Sequence, residues 1–257
     1  MWNSYLTDEQ GGLVAGVTSI RSGTNDVHAY VARPEGGGPF PGMVLVHHLP
    51  GWDEMYREIA RRLADHGYTV ICPDLYCGYG HGTPDDVAAA ARAQGGVPDD
   101  HVMAVCAAAR DWLRSLPTGN GRVGVMGSCS GGRHAVLAAS RVGGFDAVVD
   151  LWGGGVVAAA EDASPQRPVA PIELTADLSA PLLGLFGDLD HSPTAAEVDQ
   201  HEAELKRLGK RYEFHRYPDA GHGFFYHHRT AYRPEAAMDA WAKIFAFLGT
   251  ELGAGGG

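Results

Sequence analysis

The chain has 257 residues, enough for one α/β domain to bury most of the surface that its unfolded form exposes. Its 45% hydrophobic and 20% charged residues are the proportions of an ordinary globular protein and argue against disorder outside the ends. With 20 Lys and Arg against 31 Asp and Glu, the formal charge of −11 argues against gripping a nucleic-acid backbone or an anionic membrane, and a small uncharged molecule is the expected partner.

Residues 14–20 and 27–32 read as strands, the second alternating through Val27, Ala29 and Val31, and predict an antiparallel entry into a sheet. The tract 35–42, rich in Gly and Pro, reads as a turn-rich connection. Residues 43–46 form a continuous apolar run, as a strand buried on both faces would, and end in the loop His47-His48-Leu49-Pro50-Gly51. Asp53 is placed to cap a helix through Met55, Ile59 and Leu63, with Gly67 just past its end, and residues 68–72 give the next strand. Segment 78–96 predicts an excursion over the sheet edge, with one short helix near 87–93 and a role in forming a lid. Val102, Val105, Cys106, Ala109, Trp112, Leu113 and Leu116 share one face of a following helix, which puts Cys106 in the core. Later strands are predicted at 123–126, 147–151, 182–186 and 212–217, and helices at 131–141, 195–208 and 235–248.

This alternation predicts an α/β fold with a mostly parallel central sheet and helices on both faces, as one domain over 1–252 with a disordered Gly-rich tail at 253–257. No stretch is long and apolar enough to span a bilayer, and residues 1–5 lack a basic region followed by an apolar one, so a cytoplasmic monomer or small homo-oligomer is expected. Cys72, Cys77, Cys106 and Cys129 show neither zinc-pair spacing nor the density of a disulfide scaffold, which leaves a thiol free to act as a nucleophile.

The sharpest motif is Gly127-Ser128-Cys129-Ser130-Gly131, a strand running through G-x-C-x-G into an Ala-rich helix, the nucleophile elbow with Cys in place of Ser. The turn needs glycine two residues to either side of the nucleophile, a condition met around Cys129 and by neither adjacent serine. The helix N-terminus favours a thiolate, and the Ser130 N–H is placed to meet an oxyanion. His222, in the loop Ala220-Gly221-His222-Gly223 after the last strand, is the best placed of thirteen histidines to act as base. Asp188 and Asp190 both follow the preceding strand; Asp190, beyond the turn glycine, is better placed to orient His222, and Asp188 to brace the turn.

These segments, with Pro73-Asp74-Leu75-Tyr76, together resemble the dienelactone hydrolase family, cysteine α/β-hydrolases that open an enol-lactone ring, over about residues 14–247. The resemblance implies a Cys129-His222-Asp190 triad, a second oxyanion donor in the backbone N–H of Leu49, and hydrolysis of an ester or lactone without a cofactor. It also marks three departures: the family's glutamate beside the cysteine falls on His48, and its two carboxylate-clamping arginines fall on Gly78 and Tyr226. A neutral substrate and a readily ionised thiol are the expectations that follow.

Other substrate-pocket candidates are Trp52, Cys77, Tyr79, His81, Trp152 and Phe225, in loops at the carboxyl ends of strands, with His48 and Tyr226 beside them. The pairs His47-His48 and His227-His228 invite a metal, but adjacent strand residues point to opposite faces and rarely supply two ligands, so none is expected. The alternative from another class is a non-hydrolytic protein on the same fold, a ligand-binding module or an isomerase or cyclase with His222 as base.

Overall fold

Met43 and Leu45 project to one side of their strand and Val44 and Val46 to the other, and all four are buried, so helices must cover both faces of the sheet. The computed structural model describes residues 12–253. In chain order the strands are β1 (Leu13–Ser22), β2 (Asn25–Pro34), β3 (Phe40–Val46), β4 (Thr69–Pro73), β5 (Gly119–Ser128), β6 (Ala147–Leu151), β7 (Leu182–Gly187) and β8 (Tyr212–Tyr217). The helices are α1 (Glu54–Asp65), α2 (Pro84–Ala93), α3 (Asp99–Ser115), α4 (Ser130–Arg141), α5 (Ala195–Arg207) and α6 (Pro234–Leu252). The sheet order is β1-β2-β4-β3-β5-β6-β7-β8; β2 runs antiparallel to both its neighbours, and β3 to β8 are mutually parallel.

One core cluster joins Met43, Leu45, Met126 and Val149 to Ile59 and Leu63 of α1 and to Trp241, Ile244 and Leu248 of α6. The other joins Val44, Val46, Val125 and Val148 to Val102, Cys106 and Ala109 of α3 and Val136 of α4. Helix α1 begins where Asp53 accepts the Tyr56 N–H at 3.2 Å. From β3 the chain crosses to β4 on one side, then returns past β3 to β5 on the other. The loops leaving β3 and β5 therefore diverge and open a crevice between Leu49 and Cys129, the switch point at which open parallel sheets bind ligands.

The boundaries depart from expectation where Gly and Pro mask a strand. β3 starts at Phe40, inside the expected turn, because a register shift between Phe40 and Gly42 lets Pro41 sit in the strand although it lacks an N–H. Helix α2 starts at Pro84, where Thr83 and Asp86 form a reciprocal capping box, and α6 continues to Leu252. Two short 3₁₀ segments, Ala160–Asp162 and Pro171–Asp177, were not anticipated. Gly253 closes α6 at φ 68°, while the rest of the expected tail and the residues at 1–5 lie outside the described residues. Among the described residues, no helix is long and apolar enough to cross a membrane.

Arg133 of α4 donates to Asp99 of α3 through two bonds of 2.6 and 2.9 Å, both side chains being buried, and also to the carbonyls of Gly155 and Val169. Removing one partner strands a buried charge. Asp99→Ala is expected to lower unfolding free energy by about 3–5 kcal/mol in urea titrations at neutral pH, and a loss below about 1 kcal/mol would contradict this account.

Candidate active site

Cys129 is the single residue between β5 and α4, with φ 55° and ψ −126°, a conformation that L-residues rarely adopt. Its N–H donates to Leu151 O at 3.0 Å, which binds the turn to β6. A Cβ on Gly127 would lie 2.2 Å from Gly131 O, and one on Gly131 would lie 2.1 Å from Val46 O, so neither position tolerates a side chain. The glycine spacing is thus a consequence of close packing between the elbow, its own strand and β3.

His222 stands opposite the sulfur. Its Nδ1 donates to Asp190 Oδ2 at 2.8 Å, leaving Nε2 for the thiol, and Asp190 Oδ1 accepts the Ser192 N–H at 2.9 Å. Asp190 is buried, whereas Asp188 is bound to Arg216 Nε at 2.5 Å. The two loops are locked together: Leu189 N–H donates to Ala220 O at 2.9 Å, and a Cβ on Gly187 would lie 2.4 Å from that same oxygen.

Burial alone would raise the Cys129 pKa, but hydrogen bonding and charge from His222, with the N–H groups of Ser130 and Leu49, outweigh it and leave the thiol below its ordinary value. Burial would likewise lower His222, yet Asp190 and Cys129 raise it to about 10. Both directions favour transfer of the thiol proton to His222, and two backbone N–H groups converge on the sulfur.

The expected pocket residues are dispersed. His48 shares one hydrogen bond of 2.8 Å between Nδ1 and Tyr226 Oη and another of 2.8 Å between Nε2 and Asp53 Oδ2, so it has no free nitrogen for Cys129. It reaches the elbow indirectly, since Tyr226 Oη lies 3.0 Å from Ser128 Oγ, which is 2.7 Å from Tyr56 Oη. Trp152, Phe225 and Tyr226 are core residues; the Trp152 ring lies 6.3 Å from that of His222 and 5.3 Å from that of Phe225. Trp52 donates to Cys72 O at 3.1 Å and lines, with Cys77, Gly78 and His81, a separate cavity of about 380 Å³. Tyr79 and Cys77 adjoin the β1–β2 hairpin tip.

A small cavity that includes Leu49 and Ser130 is instead walled by Tyr76, Arg92, His134 and Arg167, none of which was singled out as a pocket residue. Tyr76 was visible in its motif, and its hydroxyl donates to Leu49 O at 2.8 Å. His134 falls on the helix that follows the elbow. Arg92 and Arg167 come from α2 and from the loop after β6, and their convergence has no local sequence signal. Among the described residues no three His, Cys, Asp or Glu side chains gather as a metal site; His47 accepts the Leu75 N–H through Nε2 and engages His48 O through Nδ1.

The sequence model of the Dienelactone hydrolase family matches residues 27–252. A Methylorubrum extorquens protein and an Escherichia coli K12 protein, both bearing the name "Putative carboxymethylenebutenolidase", are 34% and 35% identical to the chain, over 93% and 92% of it and 82% and 87% of their own lengths. A solved structure from Klebsiella pneumoniae, described as a "Putative Dienelactone Hydrolase", superposes with TM-score 0.82 at 32% identity, covering 92% of this chain and 98% of that one.

Two outcomes follow from the pairing at Cys129. Iodoacetamide alkylation of Cys129 is expected to reach half its plateau rate well below the free-thiol pKa of about 8.5. In His222→Ala the inflection moves upward, since burial then acts alone; a wild-type inflection at or above the free-thiol value contradicts the ion pair. Asp190→Asn is expected to cost on the order of a hundredfold or more in kcat on an activated ester, and Asp188→Asn about twofold or less, because only Asp190 fixes the His222 tautomer. Equal losses would reverse the assignment.

Proposed function

We propose, from the premise that the chain belongs to the dienelactone hydrolase family and is an ester- or lactone-cleaving hydrolase, that Cys129 is its nucleophile, His222 its acid–base and Asp190 the orienting carboxylate. The observation that carries the reading is the meeting, at one strained turn, of a thiol with lowered pKa, an Asp-bonded imidazole and two backbone N–H groups. In this mechanism the thiolate adds to the substrate carbonyl carbon, and the oxygen, now negative, is held by the N–H groups of Leu49 and Ser130. Collapse breaks the C–O bond to the alcohol half while the His222 imidazolium gives that oxygen its proton, leaving a thioester on Cys129. His222, now neutral, takes a proton from water as the hydroxide adds to the thioester. The second collapse expels the thiolate and releases the acid, so that one water is consumed per bond cleaved.

The substrate we propose is a small ester or lactone. Gly78 has no side chain and the Tyr226 hydroxyl is engaged by His48 and Ser128, so the guanidinium clamp implied by resemblance is missing from those two positions. With it goes the reason to expect a dienelactone.

Cys129→Ala is expected to lower kcat on a phenyl ester by about a thousandfold or more with an unchanged circular dichroism spectrum. Ser128 does not substitute, since its hydroxyl is held between Tyr56 and Tyr226. Intact mass after brief mixing with an activated ester is expected to show one acyl group on Cys129. Full activity in the variant removes the proposal, and saturable binding without an adduct supports the ligand-binding or isomerase alternative.

A further inference from the structure

The chemistry at Cys129 leaves the small cavity beside Leu49 and Ser130 unexplained. Resting on the hydrolase reading above, we infer that Arg92 and Arg167, together with His134, form a subsite for a carboxylate borne by the acyl half of the substrate. The preferred substrates are then half-esters of short dicarboxylic acids, and this replaces the expectation of a neutral substrate, which considered only positions 78 and 226.

Four observations converge. In a chain with 31 acidic residues, neither Arg92 nor Arg167 has a carboxylate within ion-pair distance among the described residues, whereas Arg133, Arg141 and Arg216 each do. Arg92 and Arg167 line one cavity with Tyr76, whose hydroxyl donates to Leu49 O at 2.8 Å, and with Ser130, the residue after Cys129. His134 is 5% exposed and neither ring nitrogen completes a hydrogen bond, Nε2 stopping 3.4 Å from Asp99 Oδ1. With Nε2 beside the Asp99 carboxylate, Nδ1 is the buried ring nitrogen on this cavity wall that has no partner. The same cavity is also lined by Leu75, Ala91 and Val97, apolar surface suited to a short methylene chain.

The side of the substrate follows from what the cavity omits. It contains both oxyanion-donor residues and neither His222 nor any other residue of its loop. The alcohol half must leave towards His222 to be protonated, so a group reaching the arginines belongs to the acyl half. The enclosed space is only about 20 Å³, so Arg92 and Arg167, both exposed, must turn outward to admit the acyl chain.

Three esters separate the possibilities: monophenyl adipate, with the charge on the acyl side; 4-carboxyphenyl hexanoate, with the charge on the leaving side; and neutral phenyl hexanoate. In wild type, monophenyl adipate is expected to exceed phenyl hexanoate in kcat/KM by about tenfold or more, mainly through KM, with the advantage shrinking in about 0.5 M NaCl. The charged-to-neutral ratio falls towards one in the Arg92→Gln, Arg167→Gln double variant and is kept in Arg21→Gln, on the distant β1–β2 hairpin. Independently of any variant, adipate inhibits wild type more strongly than hexanoate. No preference for monophenyl adipate, a larger one for 4-carboxyphenyl hexanoate, or a ratio that survives the double variant overturns the subsite. If none of the three is cleaved and none acylates Cys129, the hydrolase reading fails and the subsite falls with it.

Discussion

Cys129 holds a backbone conformation that costs on the order of 1–3 kcal/mol, and it persists because the packing around it permits no other. Its N–H is spent on Leu151 of β6, and its flanking glycines abut Gly131 O on one side and Val46 O of β3 on the other. A second ring of close approach lies just beyond, where Cβ atoms on Gly132 and Gly153 would lie 2.3 and 2.4 Å from Asp150 Oδ1. Three adjacent strands are thereby drawn against one turn. The strained angles carry the sulfur out of the sheet towards the N–H groups of Ser130 and Leu49, and the order of strands sets the crevice open at that point.

Two Asp–His pairs lie near the elbow, and their surroundings give them different work. Asp190 and His222 present a ring nitrogen to the sulfur, so their interaction appears as a lowered thiol pKa and a raised imidazole pKa. Asp53 and His48 instead end on Tyr226, which passes the hydrogen-bond chain to Ser128 and Tyr56. That buried chain ties down Ser128, the residue before Cys129, and closes, with polar atoms satisfied, the space beneath the turn.

Features with a local cause were legible in the sequence. The strand-turn-helix at Cys129 follows from glycine spacing, the Asp53 cap from its place before a 3.6-residue apolar repeat, and β6 and β8 from bounded apolar or alternating runs. Pro41 hid the start of β3 because its accommodation depends on a register shift between neighbouring strands, a long-range property. The pocket was harder still. Resemblance directed attention to Gly78 and Tyr226, and loop position to Trp52 and Phe225, but a cavity wall is assembled by tertiary packing. Arg92 and Arg167, 75 residues apart in sequence, meet only because segment 164–169 folds back against the start of α3.

That return segment is fastened at two points, by Gln166 O accepting the Asp99 N–H at 2.8 Å and by Val169 O accepting from Arg133 Nη2 at 3.2 Å. Arg133 belongs to α4, the helix that begins just after Cys129, so the stretch bearing Arg167 and the elbow share one anchor. Backbone freedom there is surrendered during folding, and an arriving ligand has only side-chain rotamers left to immobilise, at about 0.5–1.5 kcal/mol for each long side chain. In the proposed subsite, the backbone bearing Arg167 is thus preorganised with the Cys129 turn, and its alignment to the sulfur is inherited from the fold instead of being recreated as each ligand binds.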